Sequence, residues 1–306
     1  MSTDTAKLGS ILGALHGAYA RGENVMDLAR NLLGTDCNDT VATLLAYDLQ
    51  TGSYNRAAIE NWDNRLRYCR QLVEVLDSII PCNHARVLEV GCGEGTTLRG
   101  MLELMPRQKI LAMGFDLSWS RVHEARRFLR DAGFEADLFV ADLFRIPLAD
   151  NSVDIVFSSH SLEPNGGREI EAIRECLRVA RSAVVLFEPT YELVSPEAQA
   201  RMRSHGYVRG LREAALKLGT RVQDYRLLDY SLNPMNPTGV LVLGKDLPSG
   251  NRVSGVAWVS PLTGAPLTCM ADLFADKESG LVYPVLRGIP LLRVEHAVVA
   301  SALCAD

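Results

Sequence analysis

Hydrophobic positions along the chain repeat with two periods, and their order sketches a fold. Ile59, Trp62, Leu66, Cys69, Val73, Leu76 and Ile80 recur at steps of three and four, which predicts one face of a long helix ended by Pro81. A shorter apolar helix is expected over residues 41–49, broken by Thr51-Gly52-Ser53. Residues 1 to about 80 therefore read as mostly helical. Beyond them, a β-branched apolar run at residues 86–90 and an apolar run at 109–115 read as strands. A further helical stretch is read over residues 197–217.

The first strand leads into the most informative segment, Val87-Leu88-Glu89-Val90-Gly91-Cys92-Gly93-Glu94-Gly95-Thr96-Thr97-Leu98. Glycines at every second position let a strand turn sharply into a helix while bare backbone approaches a ligand. The N–H groups of such a turn, with the positive end of the helix, face a polar cofactor. A dinucleotide fingerprint needs its third glycine one place further on, where this chain has Thr96. None of the nine tyrosines has a lysine four places later, so the short-chain dehydrogenase pair is missing as well.

With Glu89 ahead of the glycines, the segment resembles the first motif of class I S-adenosylmethionine (SAM) dependent methyltransferases. The likeness extends over about residues 60 to 245, and it implies further strands at 139–141, 153–156, 183–187 and 238–244, with a helix at 169–180 before the fifth strand and the stretch 197–217 between the fifth and sixth. It implies an α/β fold with a Rossmann-like, seven-stranded methyltransferase sheet, an N-terminal helical lid and a small C-terminal β-rich module. It also implies SAM as cofactor, seated by Glu89, Gly91, Gly93 and Gly95. Asp116 and Leu117, at the end of the second strand, would meet the ribose hydroxyls and their surroundings. Asp142 and Leu143 after the third strand would lie at the adenine edge, and Ser159 near the end of the fourth. Two residues keep a second reading: Asp116 as a helix N-cap, and Glu89 as a bond to the backbone of the loop beneath the cofactor. Pro164 stands where many relatives have histidine, and Arg181-Ser182 replaces the family's Pro-Gly-Gly turn.

Residues 246 onward change character. Pro248-Ser249-Gly250 reads as a linker, and 258–267 with 280–292 resemble a zinc-ribbon-like module of the type that activates certain tRNA and translation-factor methyltransferases. Ser260 and Thr263 stand where metal-binding versions have cysteine, so the module is expected to keep its β-fold without a metal. Its expected role is packing or homodimerisation. The organisation is thus a helical cap over residues 1–80, a SAM-binding domain over 81–247 and the small module over 248–306.

Composition narrows the class. In 306 residues, 47% hydrophobic and 23% charged content fits a globular enzyme. A net charge of −5 argues against nucleic acid as a partner. Arg201, Arg203, Arg209 and Arg212 read as a solvated helix face. The seven cysteines show no C-x-x-C spacing, and Cys92 reads as packing inside the loop. No leader pattern opens the chain and no apolar run approaches the ~20 residues of a membrane span, so a cytoplasmic location is expected.

Acceptor-side groups should project from the ends of the fourth and fifth strands. That position nominates Ser159, His160 and Glu163, then Glu188 and Tyr191, with His160 as general base. Tyr54, and less so Tyr47, would belong to the lid; the other reading for both is packing at the helix junction. The leading function is methylation of a small-molecule acceptor at oxygen or nitrogen. Two alternatives stay open: a SAM-consuming cyclase or aminocarboxypropyl-type enzyme releasing methylthioadenosine, and an RNA or protein methyltransferase.

Overall fold

The computed structural model describes residues 5–34, 40–106, 109–246 and 255–304. The expected linker Pro248-Ser249-Gly250, and with it the boundary between the second and third units, lies outside the described residues.

Helices come first: α1 (Thr5–Ala20), α2 (Val25–Leu33), α3 (Thr40–Leu49), α4 (Ser53–Glu60) and α5 (Trp62–Ile79). The helices α1, α2 and α3 bury a small core of their own around Leu15, Ala29 and Ala46. The long helix expected from Ile59 onward is interrupted at Asn61, so Ile59 belongs to α4 and is exposed. The buried face of α5 is Tyr68, Cys69, Leu72, Val75 and Leu76, rotated from the expected face that included Leu66 and Val73. The rotation follows from packing: α5 lies against the sheet and shares its core rather than that of the cap.

The sheet is built from β1 (Ala85–Val90), β2 (Ile110–Asp116), β3 (Asp137–Val140), β4 (Val153–Ser159), β5 (Ala180–Pro189), β6 (Arg221–Leu227) and β7 (Thr238–Gly244). Between them run α6 (Thr96–Leu104), α7 (Trp119–Asp131), α8 (Glu169–Val179), α9 (Pro196–Ser204) and α10 (Leu211–Lys217). The spatial order is β3-β2-β1-β4-β5-β7-β6, parallel except for β7, which is antiparallel to both its neighbours. The fold is the Rossmann-like seven-stranded sheet expected. β1 is buried at every position, as a strand with parallel neighbours on both sides must be. One face of the sheet packs α5, α6 and α7, and the other packs α8 and α10.

Three elements differ from the sequence reading. β6 is a strand where none had been located; it is an edge strand with alternating partial burial, so its apolar signal is weak. The helical stretch at 197–217 is two helices, separated where Gly206 and Gly210 take positive φ. β5 starts directly at the end of α8, which accounts for the missing Pro-Gly-Gly turn.

The C-terminal module holds β8 (Thr268–Cys269), β9 (Leu273–Asp276), β10 (Leu281–Leu286), β11 (Ile289–Pro290) and β12 (Val298–Val299). It covers the β3 edge of the large sheet: Leu292 N–H donates to Val140 O at 2.8 Å, and Trp258 meets Phe139 edge-on at 4.9 Å between centroids. Covering an edge strand satisfies backbone groups that would otherwise invite intermolecular pairing. Hydrogen bonds join the turn at Ser260 and Thr263 to the rest of the module. Ser260 Oγ lies 2.9 Å from Tyr283 OH, Thr263 Oγ1 donates to Asp276 Oδ2 at 2.7 Å, and Asp276 Oδ1 accepts the N–H groups of Glu278 and Ser279. Hydrogen bonds to one buried carboxylate thus hold the two turns together. Among the described residues, no group of three or more His, Cys, Asp or Glu side chains is arranged to hold a metal ion.

Candidate active site

The loops leaving the carboxyl ends of the parallel strands meet at one rim of the sheet, and a cavity of about 330 Å³ opens there. Gly91, Gly93 and Gly95 all have positive φ. A side chain at Gly91 would also collide with Ser161, whose Cβ is 2.4 Å from where the new Cβ would sit. A Cβ on Gly93 would come within 2.5 Å of the Arg121 guanidinium, which lies on the bare loop.

Glu89, at the end of β1, is 2% exposed and accepts the Leu98 N–H in the first turn of α6. That bond supplies a cap that Gly95, the residue before the helix, cannot. The loop-bonding reading of Glu89 therefore describes one of its oxygens. The other, Oε2, is buried without a partner, and Glu89 borders the cavity. Burial pushes the carboxyl up to about 8, against the opposing charge of Arg65.

Asp116 Oδ2 accepts the Gly93 N–H at 3.1 Å, and Oδ1 accepts the Ser118 N–H at 3.0 Å. The N-cap of α7 is Ser118, whose Oγ accepts the Arg121 N–H, rather than Asp116. A carboxylate has about four acceptor positions, so two remain on Asp116 for hydroxyl donors in the cavity. Asp142 Oδ1 closes its own turn by accepting the Phe144 N–H at 2.9 Å. Burial raises the Asp142 pKa, with that bond opposing. Leu117, Leu143 and Ser159 complete this side, Ser159 Oγ lying 2.9 Å from Tyr68 OH. The bare glycine loop, the unpartnered Glu89 oxygen and the remaining acceptor positions on Asp116 fit an adenosyl amino acid carrying hydroxyls and an ammonium.

At the other end of the cavity, His160 has a positive φ and both its ring nitrogens are engaged. Nδ1 lies 2.6 Å from Glu163 Oε2, and Nε2 lies 2.7 Å from Thr238 Oγ1. Burial lowers the His160 pKa, but the bond and charge of Glu163, with Glu188 behind, outweigh it and the net shift is upward. Burial raises Glu163, and its bonds from His160, Tyr207 and Asn236 overcome this to lower it. Tyr207 reaches Glu163 because the chain breaks between α9 and α10. Val208 N–H donates to Glu163 O, and Gly166 N–H to Gly206 O.

Two of the nominated acceptor residues do not face the cavity. Glu188 is fully buried; Oε1 accepts the N–H groups of Ser161 and Leu162, and Oε2 that of Glu163. It holds the 160s loop instead of facing an acceptor, and burial pushes its carboxyl up to about 7. Tyr191 is turned towards α9, its hydroxyl bonded by Arg203. Gly95 also does not border the cavity; it serves the turn into α6. Cys92 is buried and burial keeps it a thiol, consistent with packing.

The cap forms the roof. Tyr47 and Tyr54 border the cavity, and the Arg121 guanidinium lies 5.0 Å and 4.9 Å from their ring centroids. Thr43, Arg65, Arg121 and Asn236 were not singled out from the sequence, and each presents a buried polar atom without a partner while lining the cavity. No local pattern marks them, because they reach the site from α3, α5, α7 and the β6–β7 loop. Of the arginines read as a solvated face, Arg201, Arg203 and Arg212 lie over the rings of Tyr207, Tyr191 and Tyr225. Among the described residues no helix is long and apolar enough to cross a membrane.

Residues 87–183 match a family model described as a methyltransferase domain. No curated protein matches the chain in sequence. Among solved structures, magnesium protoporphyrin IX methyltransferase from Synechocystis, with bound S-adenosylhomocysteine, shares 14% identity, with 60% of this chain and 84% of that one covered at a TM-score of 0.48. A putative sarcosine dimethylglycine methyltransferase from Galdieria sulphuraria shares 15%, covering 62% and 87% at 0.45. The complex of a Haloferax volcanii methyltransferase activator and the putative methyltransferase gives 17%, 65% and 96% at 0.48.

Proposed function

On the premise that residues 87–183 are a methyltransferase domain with SAM as its methyl donor, we propose that this chain methylates an oxygen or nitrogen of a small molecule. The observation that carries this reading is enclosure. The cofactor loops, the 160s loop and the capping tyrosines border one cavity of about 330 Å³, within the range of small-ligand pockets. The net charge of −5 supports the same choice over RNA.

Bound SAM supplies a methyl group already activated by its sulfonium. The chain's residues then have to align the acceptor, and alignment alone contributes ~7–11 kcal/mol. We assign the loop backbone at Gly91 and Gly93 to the amino-acid end, with Glu89 for its ammonium and Arg65 for its carboxylate. Asp116 takes the ribose hydroxyls, with Leu117 beside them. Asp142 and Leu143 take the adenine edge. Ser159 lies between the two ends. His160 and Glu163 line the acceptor end as a hydrogen-bonded pair, and Asn236 presents its carbonyl to an acceptor O–H or N–H. His160 acts as base once Nε2 exchanges Thr238 for the acceptor. Tyr54 closes the roof and excludes water.

The test is to supply the purified chain and SAM with the small-molecule, RNA and protein fractions of a cell extract in turn. S-adenosylhomocysteine formed only with the small-molecule fraction is expected. Turnover confined to the RNA or protein fraction, or release of methylthioadenosine instead, would contradict the proposal.

A further inference from the structure

Glu94 stands between two glycines of the cofactor loop and is 2% exposed. Its carboxylate reaches across to the cap: Oε1 accepts the Gly52 N–H at 2.9 Å and Oε2 accepts the Asn55 N–H at 2.8 Å. These are the N-cap residue and the third residue of α4, a helix start whose own cap residue offers no side-chain bond. A carboxylate there meets both the free N–H groups and the positive end of the helix. Two neighbouring contacts tie the same stretch to the other cofactor loop. Ser118 Oγ donates to Asp48 Oδ1 at 2.5 Å, and Arg121 lies between Tyr47 and Tyr54. Thus residues 47–55 of the cap are fastened to the two loops that border the cofactor's place.

The closed arrangement also carries a cost. Asn55 is 5% exposed, yet both its amide oxygen and its amide nitrogen lack partners, and so does the buried Thr43 hydroxyl. Buried polar groups without partners favour a state in which water reaches them. Gly52, at φ +86°, provides a turn between α3 and α4 about which such an opening can occur. The contacts that close the cap are therefore opposed by groups that gain from opening it.

We propose that Glu94 is a latch: through Gly52 and Asn55 it lets the cofactor loop hold the helical cap shut, so that cofactor leaves only when those two bonds break. Glu94 is a positioning residue here, acting on the cap and not on the reacting atoms. The inference rests on the cofactor seat proposed above.

The experiment uses the full chain with S-adenosylhomocysteine as probe, measuring its dissociation rate and the amide exchange of Gly52 and Asn55. Wild-type protein should protect both amides when the probe is bound. Glu94→Gln keeps the shape but turns an N–H₂ towards one of the two N–H donors. It should release the probe about tenfold faster and lose protection at both amides on a similar scale, with a melting temperature close to wild type. Wild-type rates and protection in Glu94→Gln would overturn the latch. Should Glu94→Gln fail to fold, Glu94→Asp keeps the buried charge but is too short to span both bonds, and the same two readouts decide. A wild-type chain that does not bind S-adenosylhomocysteine would remove the seat itself, an outcome distinct from a latch that fails on a seat that binds.

Discussion

His160 Nδ1 lies 2.6 Å from Glu163 Oε2, while Asn236 Nδ2 donates to the same oxygen at 2.9 Å. Because an ionised carboxylate only accepts, the Asn236 nitrogen must face it, which leaves the amide oxygen free at the cavity wall. One carboxylate thus fixes both the tautomer of the imidazole, with a proton on Nδ1, and the direction of the amide. Glu163→Gln should slow turnover by about tenfold or more through both residues, and His160→Ala by a similar factor, with cofactor affinity nearly unchanged. Steady-state kinetics beside a binding isotherm checks both; unaltered turnover in His160→Ala would remove it as base.

The same pair makes a pH prediction. His160 is raised and Glu163 lowered, so each stabilises the other's charge. For the histidine, the contribution is complete below its unfolded pKa of about 6.5 and is lost as pH rises through its higher folded value. The stability difference between wild type and Glu163→Gln should therefore shrink above about pH 6.5. Urea unfolding across pH 5.5–9 measures it; a difference independent of pH would contradict the pairing.

Glu89 adds a second loss of stability with rising pH. Its carboxyl is pushed up to about 8, so the folded chain binds a proton that the unfolded chain releases near pH 4.5. Stability then falls as pH rises from about 4.5 to about 8, by an amount on the order of a few kcal/mol. Glu89→Gln should flatten this slope, seen as a melting temperature less sensitive to pH. It should also weaken SAM binding, because an amide cannot pair with the ammonium as a carboxylate does.

Glu188 accepts three backbone N–H groups from inside the protein. Glu188→Ala leaves all three buried without partners, which should cost about 3 kcal/mol or more of stability. Turnover should fall because the 160s loop moves, while the cofactor half keeps its affinity. A stable variant with normal turnover would contradict the structural role.

In the C-terminal module, Asp276 gathers bonds from Thr263, Glu278 and Ser279, and these lower its pKa against the effect of burial. Asp276→Ala should loosen the module by roughly 1–3 kcal/mol. Chelators should leave the melting temperature of the wild-type chain unchanged. A chelator-induced drop would mean that a metal, and not this carboxylate, joins the two turns.

Much of the parallel sheet was legible because its central strands are buried on both sides and read as unbroken apolar runs ending in glycine or an acid. The edge strand β6 was not, since half-exposed residues such as Val222 and Tyr225 leave little apolar contrast. The boundary between α4 and α5 was hidden for a related reason: Ile59 keeps the helical spacing across Asn61, although the chain turns there. The cofactor half of the site was readable because its residues follow strand ends in one local order. The roof and walls were not. Arg65, Arg121 and Asn236 meet only through tertiary packing, and Glu188, well placed by chain position, turns inward to serve a loop.

The account depends on Asp116 facing an adenosyl ligand across the glycine loop. Titrating S-adenosylhomocysteine into the wild-type chain and into Asp116→Ala by calorimetry tests it most directly. Saturable binding to wild type, weakened at least about thirtyfold in a folded Asp116→Ala, is the expected result. No heat with wild type, or equal affinity in the variant, would contradict it.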